Sequence, residues 1–226
     1  MLTICTWLWG NKYGRDDVCK LQAGLLRHLS TSHRLLVMTE REREISFPSG
    51  IERHAIKDPE LLKVQGCFAR LRMFDPDWQA RRQINSPMVC MDLDVVITGN
   101  LDRVFDRSED FVILQGVNAL NPCPYNGSVW MLKPGKHADV WRDFSLDAVK
   151  SIKYYDFPDD QGWFWHKIPN ASGWECGAKS GIYGFLKPGW PGKNLFPVDA
   201  RLVVFPGWRS PAKFKHLPWI RDHWRL

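Results

Sequence analysis

A chain of 226 residues that is 44% hydrophobic, with 12 Trp and 12 Phe, can bury a sizeable core in one domain and is not a disordered polymer. Its formal charge of +6 and pI near 9.0 favour anionic partners, and because the basic residues are scattered along the chain, nucleic acid is not expected among them. No apolar run approaches the roughly 18 residues of a membrane span, and no charged leader with a long apolar segment opens the chain.

Residues 2–6 form a first buried strand, followed by an aromatic and glycine-rich loop, Trp7-Leu-Trp-Gly-Asn-Lys-Tyr-Gly14. Asp16 or Asp17 is placed to cap a helix running to about Leu29, with Val18, Leu21, Leu25 and Leu29 on one stripe. Residues 34–39 give a second strand. Strand, helix, strand at this spacing is a βαβ unit, and so an α/β fold with a largely parallel core. The first loop then lies at the carboxyl end of the sheet, where such folds bind ligands. Tyr13 or a loop tryptophan is suited to stacking on a base there, while Trp7 and Trp9 serve equally well as core packing.

Residues 51–56 are a weak third strand, and residues 66–74 look helical, with Phe68, Leu71 and Phe74 inward and Arg70 and Arg72 on other faces. The centre of the chain is Pro87-Met-Val-Cys-Met-Asp-Leu-Asp-Val-Val-Ile97, two apolar runs around a pair of aspartates. In an extended chain Asp92 and Asp94 project to one side and Leu93 to the other. Two like charges at the end of a buried strand are costly unless a positive group sits between them. A hard divalent cation sharing its remaining positions with phosphate oxygens meets that need; a solvated strand end that binds nothing is the plain alternative. Asp75-Pro-Asp77 has the same spacing but lies in a polar, proline-bearing stretch suited to a turn.

A second apolar strand covers residues 111–114, and Tyr125-Asn-Gly-Ser-Val-Trp-Met-Leu132 is a turn feeding a strand, its Asn-Gly favouring a positive backbone dihedral. Residues 139–149 form an amphipathic helix. Another, over residues 159–168, opens with Asp159 and Asp160, for which capping is the ordinary role. After residue 170 only residues 201–205 have strand character, and residues 218–224 form a short closing helix. The six cysteines (Cys5, Cys19, Cys67, Cys90, Cys123, Cys176) include no Cys-x-x-Cys pair, which fits a reducing compartment. A cytosolic location follows, with peripheral contact to the inner face of a membrane compatible with it.

The order of these motifs resembles the metal-dependent GT-A glycosyltransferases related to family 8, the group of glycogenin and the bacterial lipooligosaccharide galactosyltransferases. The likeness covers residues 8–14, Phe68-Ala-Arg-Leu71, Met91-Asp-Leu-Asp-Val-Val-Ile-Thr-Gly-Asn-Leu-Asp102, Tyr125-Asn-Gly-Ser-Val129 and Asp160-Gln161. It continues through a late strand followed by Pro206-Gly-Trp208 and a final Pro218-Trp219. It implies one GT-A, Rossmann-like α/β domain over residues 1–226, with a mixed, mostly parallel sheet flanked by helices. Residues 1–115 would be the nucleotide- and metal-binding half, and residues 116–226 the acceptor-side half with its closing segment. By the same resemblance Asp92 and Asp94 hold Mn2+ (or Mg2+) on a donor diphosphate. Arg70, Leu93 and Gly127 would complete the donor contacts with Trp7 and Tyr13 of the first loop, and Asn126, Asp160 and Gln161 sit at the sugar. The family's phosphate-neutralising lysine has no exact match, Lys213, with Lys215 and Arg209 nearby, being the candidate. The implied reaction moves a sugar from a nucleotide donor, typically UDP-linked, to a glycan or lipid-linked glycan, with retention.

One position departs from the pattern. The late motif has a metal-binding histidine where this chain has Pro206, and proline cannot coordinate; His216, ten residues on, is the substitute ligand to test. A nucleotidyltransferase, or a nucleotide-sugar or glycan-binding protein with a decayed metal site, are the rival readings.

Overall fold

The computed structural model describes residues 1–152, 158–193 and 195–226. Strand β1 (Leu2–Leu8), helix α1 (Arg15–His28) and strand β2 (His33–Thr39) form the expected βαβ unit, with β1 and β2 parallel. All seven residues of β1 are buried, as a strand covered on both faces requires. Ile4 and Leu8 pack with Val18, Leu21 and Leu25 of α1, while Cys5 and Trp7 pack on the opposite face with Phe68, Phe74 and Trp130. The cap of α1 differs from expectation. Gly14 is the N-cap, and Asp17, inside the first turn, accepts a hydrogen bond from its N–H at 2.8 Å. An acid there satisfies an orphan donor and meets the positive end of the helix dipole.

Strands β3 (Ile51–Ala55) and β4 (Met88–Met91) extend the sheet on either side. β5 (Val95–Ile97) leaves it, and β6 (Phe111–Gln115), β7 (Tyr125–Leu132) and β8 (Ser172–Glu175) complete it. The order is β3-β2-β1-β4-β7-β6-β8, antiparallel only where β7 pairs with β4 and β6. This is a mixed, mostly parallel seven-stranded sheet flanked by helices. A second sheet joins β5 to β10 (Leu202–Val204) and β9 (Ile182–Gly184) in the order β5-β10-β9. Val95, Ile97, Leu202 and Val204 face the core beneath α1, whereas Val96, Tyr183 and Val203 face an aromatic cluster with Phe185 and Phe205.

The short helices are α2 (Pro76–Arg81), α3 (Asp102–Phe105), α4 (Asp139–Arg142), α5 (Leu146–Lys150), α6 (Asp160–Lys167) and α7 (Pro218–His223). The single helix expected over residues 139–149 is two, because the Ser145 side chain accepts from the Ala148 N–H at 3.0 Å and starts a new cap. Asp75 likewise caps α2 by accepting from Asp77 N–H at 2.9 Å, so the decoy pair is local helix chemistry. Strands β8 and β9 were not expected from the sequence; each is short and set among glycines.

Candidate functional site

The two aspartates stand where the chain passes from one sheet to the other. Asp92 N–H still bonds to Ser128 O of β7 at 2.9 Å, continuing the large sheet, whereas Asp94 O accepts from Phe205 N–H at 3.1 Å, beginning the small one. The extended stretch expected at the end of the strand is therefore a bend between two strands. Leu93 is buried in the core beneath it, and both carboxylates line the same cavity.

That cavity, of about 270 Å³, lies at the carboxyl ends of β1 and β4 and brings together Lys12, Arg70, Asp92, Asp94, Asn126, Gly127, Asp160 and Gln161. An adjoining cavity of about 260 Å³ is bounded by Trp7, Trp9 and Tyr13 and shares Lys12, Cys67, Asp92 and Asp94. Trp7 is buried core with one edge on this second compartment, and Trp9 meets it edge-on at 6.5 Å.

Arg70 organises the first cavity. The segment Phe68–Phe74 is a 3-10 helix entered through Cys67 in a left-handed conformation (φ 58°), and Arg70 is buried in it, not turned to another face as expected. Its guanidinium reaches Asp92 at 2.6 Å and Asp160 at 2.5 Å, and donates to Gly127 O at 2.9 Å. Burial works against the charge on Arg70, but Asp160 and Asp92 outweigh it and hold the group firmly protonated. Gly127 is the residue this contact demands, because a Cβ there would come within 2.5 Å of Arg70 Nη2. The Asn126-Gly127 pair is thus part of β7, opposite a register shift in β6, and no positive φ occurs at either residue.

Asp159 is the N-cap of α6, accepting from Gly162 N–H at 2.7 Å and from Gln161 Nε2 at 2.6 Å. Gln161 Oε1 in turn accepts from Gly127 N–H at 2.9 Å, so the amide orientation is fixed at both ends. Asp160 has a different role: it is 1% exposed, and burial pushes its carboxyl up to about 7, with Arg70 shared between two acids opposing the shift. Asp94 accepts from Tyr13 Oη at 2.5 Å and Lys12 Nζ at 3.2 Å. Burial, then the charge of Asp92, push it up to about 6. Tyr13 is therefore an acid's hydrogen-bond donor, and its own phenol is pushed upward by burial and by Asp94.

The cavity wall includes four carboxylates (Asp92, Asp94, Asp159, Asp160) and two cations (Lys12, Arg70), a formal excess of acids that the raised values of Asp94 and Asp160 reduce but do not cancel at neutral pH. Such a surface repels a diphosphate and attracts a divalent cation. Asp92 and Asp94, whose carboxylates share this wall, are the residues that could hold an oxygen-seeking ion such as Mn2+ or Mg2+. Among the described residues no group of three or more His, Cys, Asp or Glu converges as a ready-made metal site. Pro206 and Gly207 line the cavity where the expected histidine motif falls. His216 is exposed beside Phe214 and is not part of the wall; neither is Lys213, exposed and donating to Trp208 O at 2.8 Å. Gly207, the last of the wall residues after β10, has a left-handed backbone (φ 76°), and neither His216 nor Lys213 follows it into the wall. Lys12 and Asp159 are the site residues that sequence reasoning passed over. Lys12 lay inside the first-loop motif, and Asp159 was discounted as a cap, which it also is.

No family model matches this chain. No curated protein matches it either. Among solved structures, the galactosyltransferase LgtC, in complex with donor and acceptor sugar analogues, matches with a TM-score of 0.60 and 11% identity, over 99% of this chain and 97% of that one. The chain has the GT-A glycosyltransferase fold. An identity that low carries the GT-A architecture and not the substrates. The cavity at the bend between the two sheets is the candidate site on this fold.

Proposed function

We propose that the chain is a metal-dependent, retaining glycosyltransferase, moving a sugar from a nucleotide donor, UDP-linked, to a hydroxyl of a glycan or lipid-linked glycan. The observation that carries this reading is the pair of adjoining cavities joined by Asp92 and Asp94, one walled by aromatic rings and one lined by charged and amide side chains. A nucleoside suits the Trp7, Trp9 and Tyr13 compartment, and a sugar suits the Asn126, Asp160 and Gln161 compartment. The diphosphate then falls between them, beside Lys12 and the two aspartates.

A divalent ion bound by Asp92 and Asp94 would supply charge neutralisation for the departing diphosphate. The chain's own residues do the rest. Lys12 places a positive charge at the junction, and Arg70 holds Asp92 and Asp160 at fixed positions. Gln161, locked between Asp159 and Gly127, presents a rigid edge that orients the sugar. Both Nε and Nη2 of Arg70 occupy Asp160 Oδ2, and an amide such as Gln161 is a poor nucleophile. Retention by same-face attack is thereby favoured over a covalent sugar on either side chain. Six unpaired cysteines accord with action in the cytosol.

One observation supports a second reading. Both motif aspartates already have protein cations as partners, so a protein that binds a nucleotide sugar without turning it over is the alternative. Incubation with a panel of UDP-sugars, with and without manganese, separates the two. Release of UDP that requires manganese and disappears in Asp94→Asn is expected of the transferase. Donor binding with no UDP release from any sugar, acceptor present or absent, would leave only the binding protein.

A further inference from the structure

A third cavity, of about 420 Å³, lies away from the aspartates, at the exposed edge strand β8. Arg103 of α3, Arg107 beyond it, Lys179 after β8 and Arg201 before β10 all reach its wall, and Glu175 is the one acid among the lining residues. Its cations come from separate parts of the chain, and not all are committed. Arg107 is held by Glu109, and Lys179 lies 3.3 Å from Glu175. Arg201 uses Nη1 on Asn100 O at 3.1 Å, and Arg103 is exposed with no hydrogen bond or ion pair among the described residues. The floor is Trp174, buried, with its indole N–H bonded to Val104 O at 3.0 Å. A concave, largely positive wall of this size fits a compact anion, whereas a nucleic acid needs an extended basic stripe.

We propose that this cavity is a second anion site and that it takes a phosphomonoester. Guanidinium forks match phosphate oxygens in pairs, and a phosphomonoester carries close to two negative charges at neutral pH. The site lies at the far end of the β5–β10 ladder from the candidate active site. Thr98 N–H bonds to Arg201 O at one end of the ladder, and Phe205 N–H bonds to Asp94 O at the other. Three paired residues lie between them, roughly 13 Å of strand from one bond to the other. The inference does not rest on the chain being a glycosyltransferase.

Glucose 6-phosphate at low salt, followed by calorimetry, is the soluble probe; phosphatidylcholine vesicles carrying phosphatidic acid present the same group as a lipid headgroup. The variants are Arg103→Gln and Arg201→Gln, with Lys150→Gln on α5 as a control and each melting point checked. Binding is expected to weaken at least ~10-fold in each arginine variant, to be unchanged in Lys150→Gln, and to persist in the presence of UDP and manganese. If this pattern holds for the soluble probe the ligand is a free phosphate ester; if it holds for vesicles alone, the ligand is a lipid headgroup. No binding in either arm, displacement by UDP with manganese, or an equal loss in Lys150→Gln would overturn the assignment.

Discussion

Arg70 divides one positive charge between Asp92 and Asp160 while almost fully removed from water. Removing one partner of a buried charge set leaves the others uncompensated, so Arg70→Leu should cost about 3–5 kcal/mol of stability in urea unfolding. Arg70→Lys, which keeps the charge without the planar fork, should recover only part of it; a loss below about 1 kcal/mol for Arg70→Leu would mean an exposed-type pair. The two acids with raised values predict a pH dependence. Folded-state values of about 6 for Asp94 and about 7 for Asp160 lie above the unfolded carboxylate range, so the folded chain binds the extra protons. Their contribution to stability is fully present below about pH 4 and is lost as pH rises through those two values. The urea midpoint of the ligand-free protein should therefore fall between pH 5 and pH 8, and fall less in Asp94→Asn. A rise across that window, abolished by Asp94→Asn, would contradict the assignment.

At the scale of elements, the β1-α1-β2 unit was legible because its signals are long and periodic: a fully apolar strand and a stripe at Val18, Leu21 and Leu25. The 3-10 segment Phe68–Phe74 was not, since its geometry follows from tertiary contacts of Arg70 and from the left-handed Cys67. Asn126-Gly127 misled for a related reason. Sequence statistics favour a turn there, whereas Gly127 is set by the guanidinium beside it. Strands β8 and β9, of four and three residues, are too short for alternation to register. The cap of α6 illustrates how structure and site share one residue. Asp159→Ala removes bonds from Gly162 N–H and Gln161 Nε2, and should cost about 0.5–2 kcal/mol. It should also lower donor turnover more than UDP affinity, because Gln161 is freed at the sugar end. Equal losses for both would place Gln161 at the nucleotide instead.

For the whole molecule, the change of sheet at Asp92-Leu93-Asp94 sets both the fold and the site. A strand of the large sheet ends where one of the small sheet begins, and the bend delivers two carboxylates to one cavity. The sequence showed the pair and its apolar flanks, but the second sheet depends on β10 pairing with a segment about a hundred residues earlier. On the proposed reading, in which Asp92 and Asp94 are the metal's two protein ligands, metal and nucleotide should bind with strong mutual dependence, since each completes the other's coordination. Manganese alone should then raise the melting point little, and manganese with UDP much more. His216→Ala should leave that gain unchanged, because His216 is exposed and not part of the cavity wall; loss of the gain would restore it as a ligand.

The most direct measurement is calorimetric titration of UDP into the protein with and without manganese, for the wild type, Asp94→Asn and the control Asp75→Asn. Even outer-shell partners of a metal are worth ~10–100-fold in affinity, so loss of a direct carboxylate should weaken manganese-dependent UDP binding at least ~10-fold, with the control unchanged. Equal UDP affinity with and without manganese in the wild type, or an unaltered affinity in Asp94→Asn, would contradict a metal–diphosphate site at these aspartates.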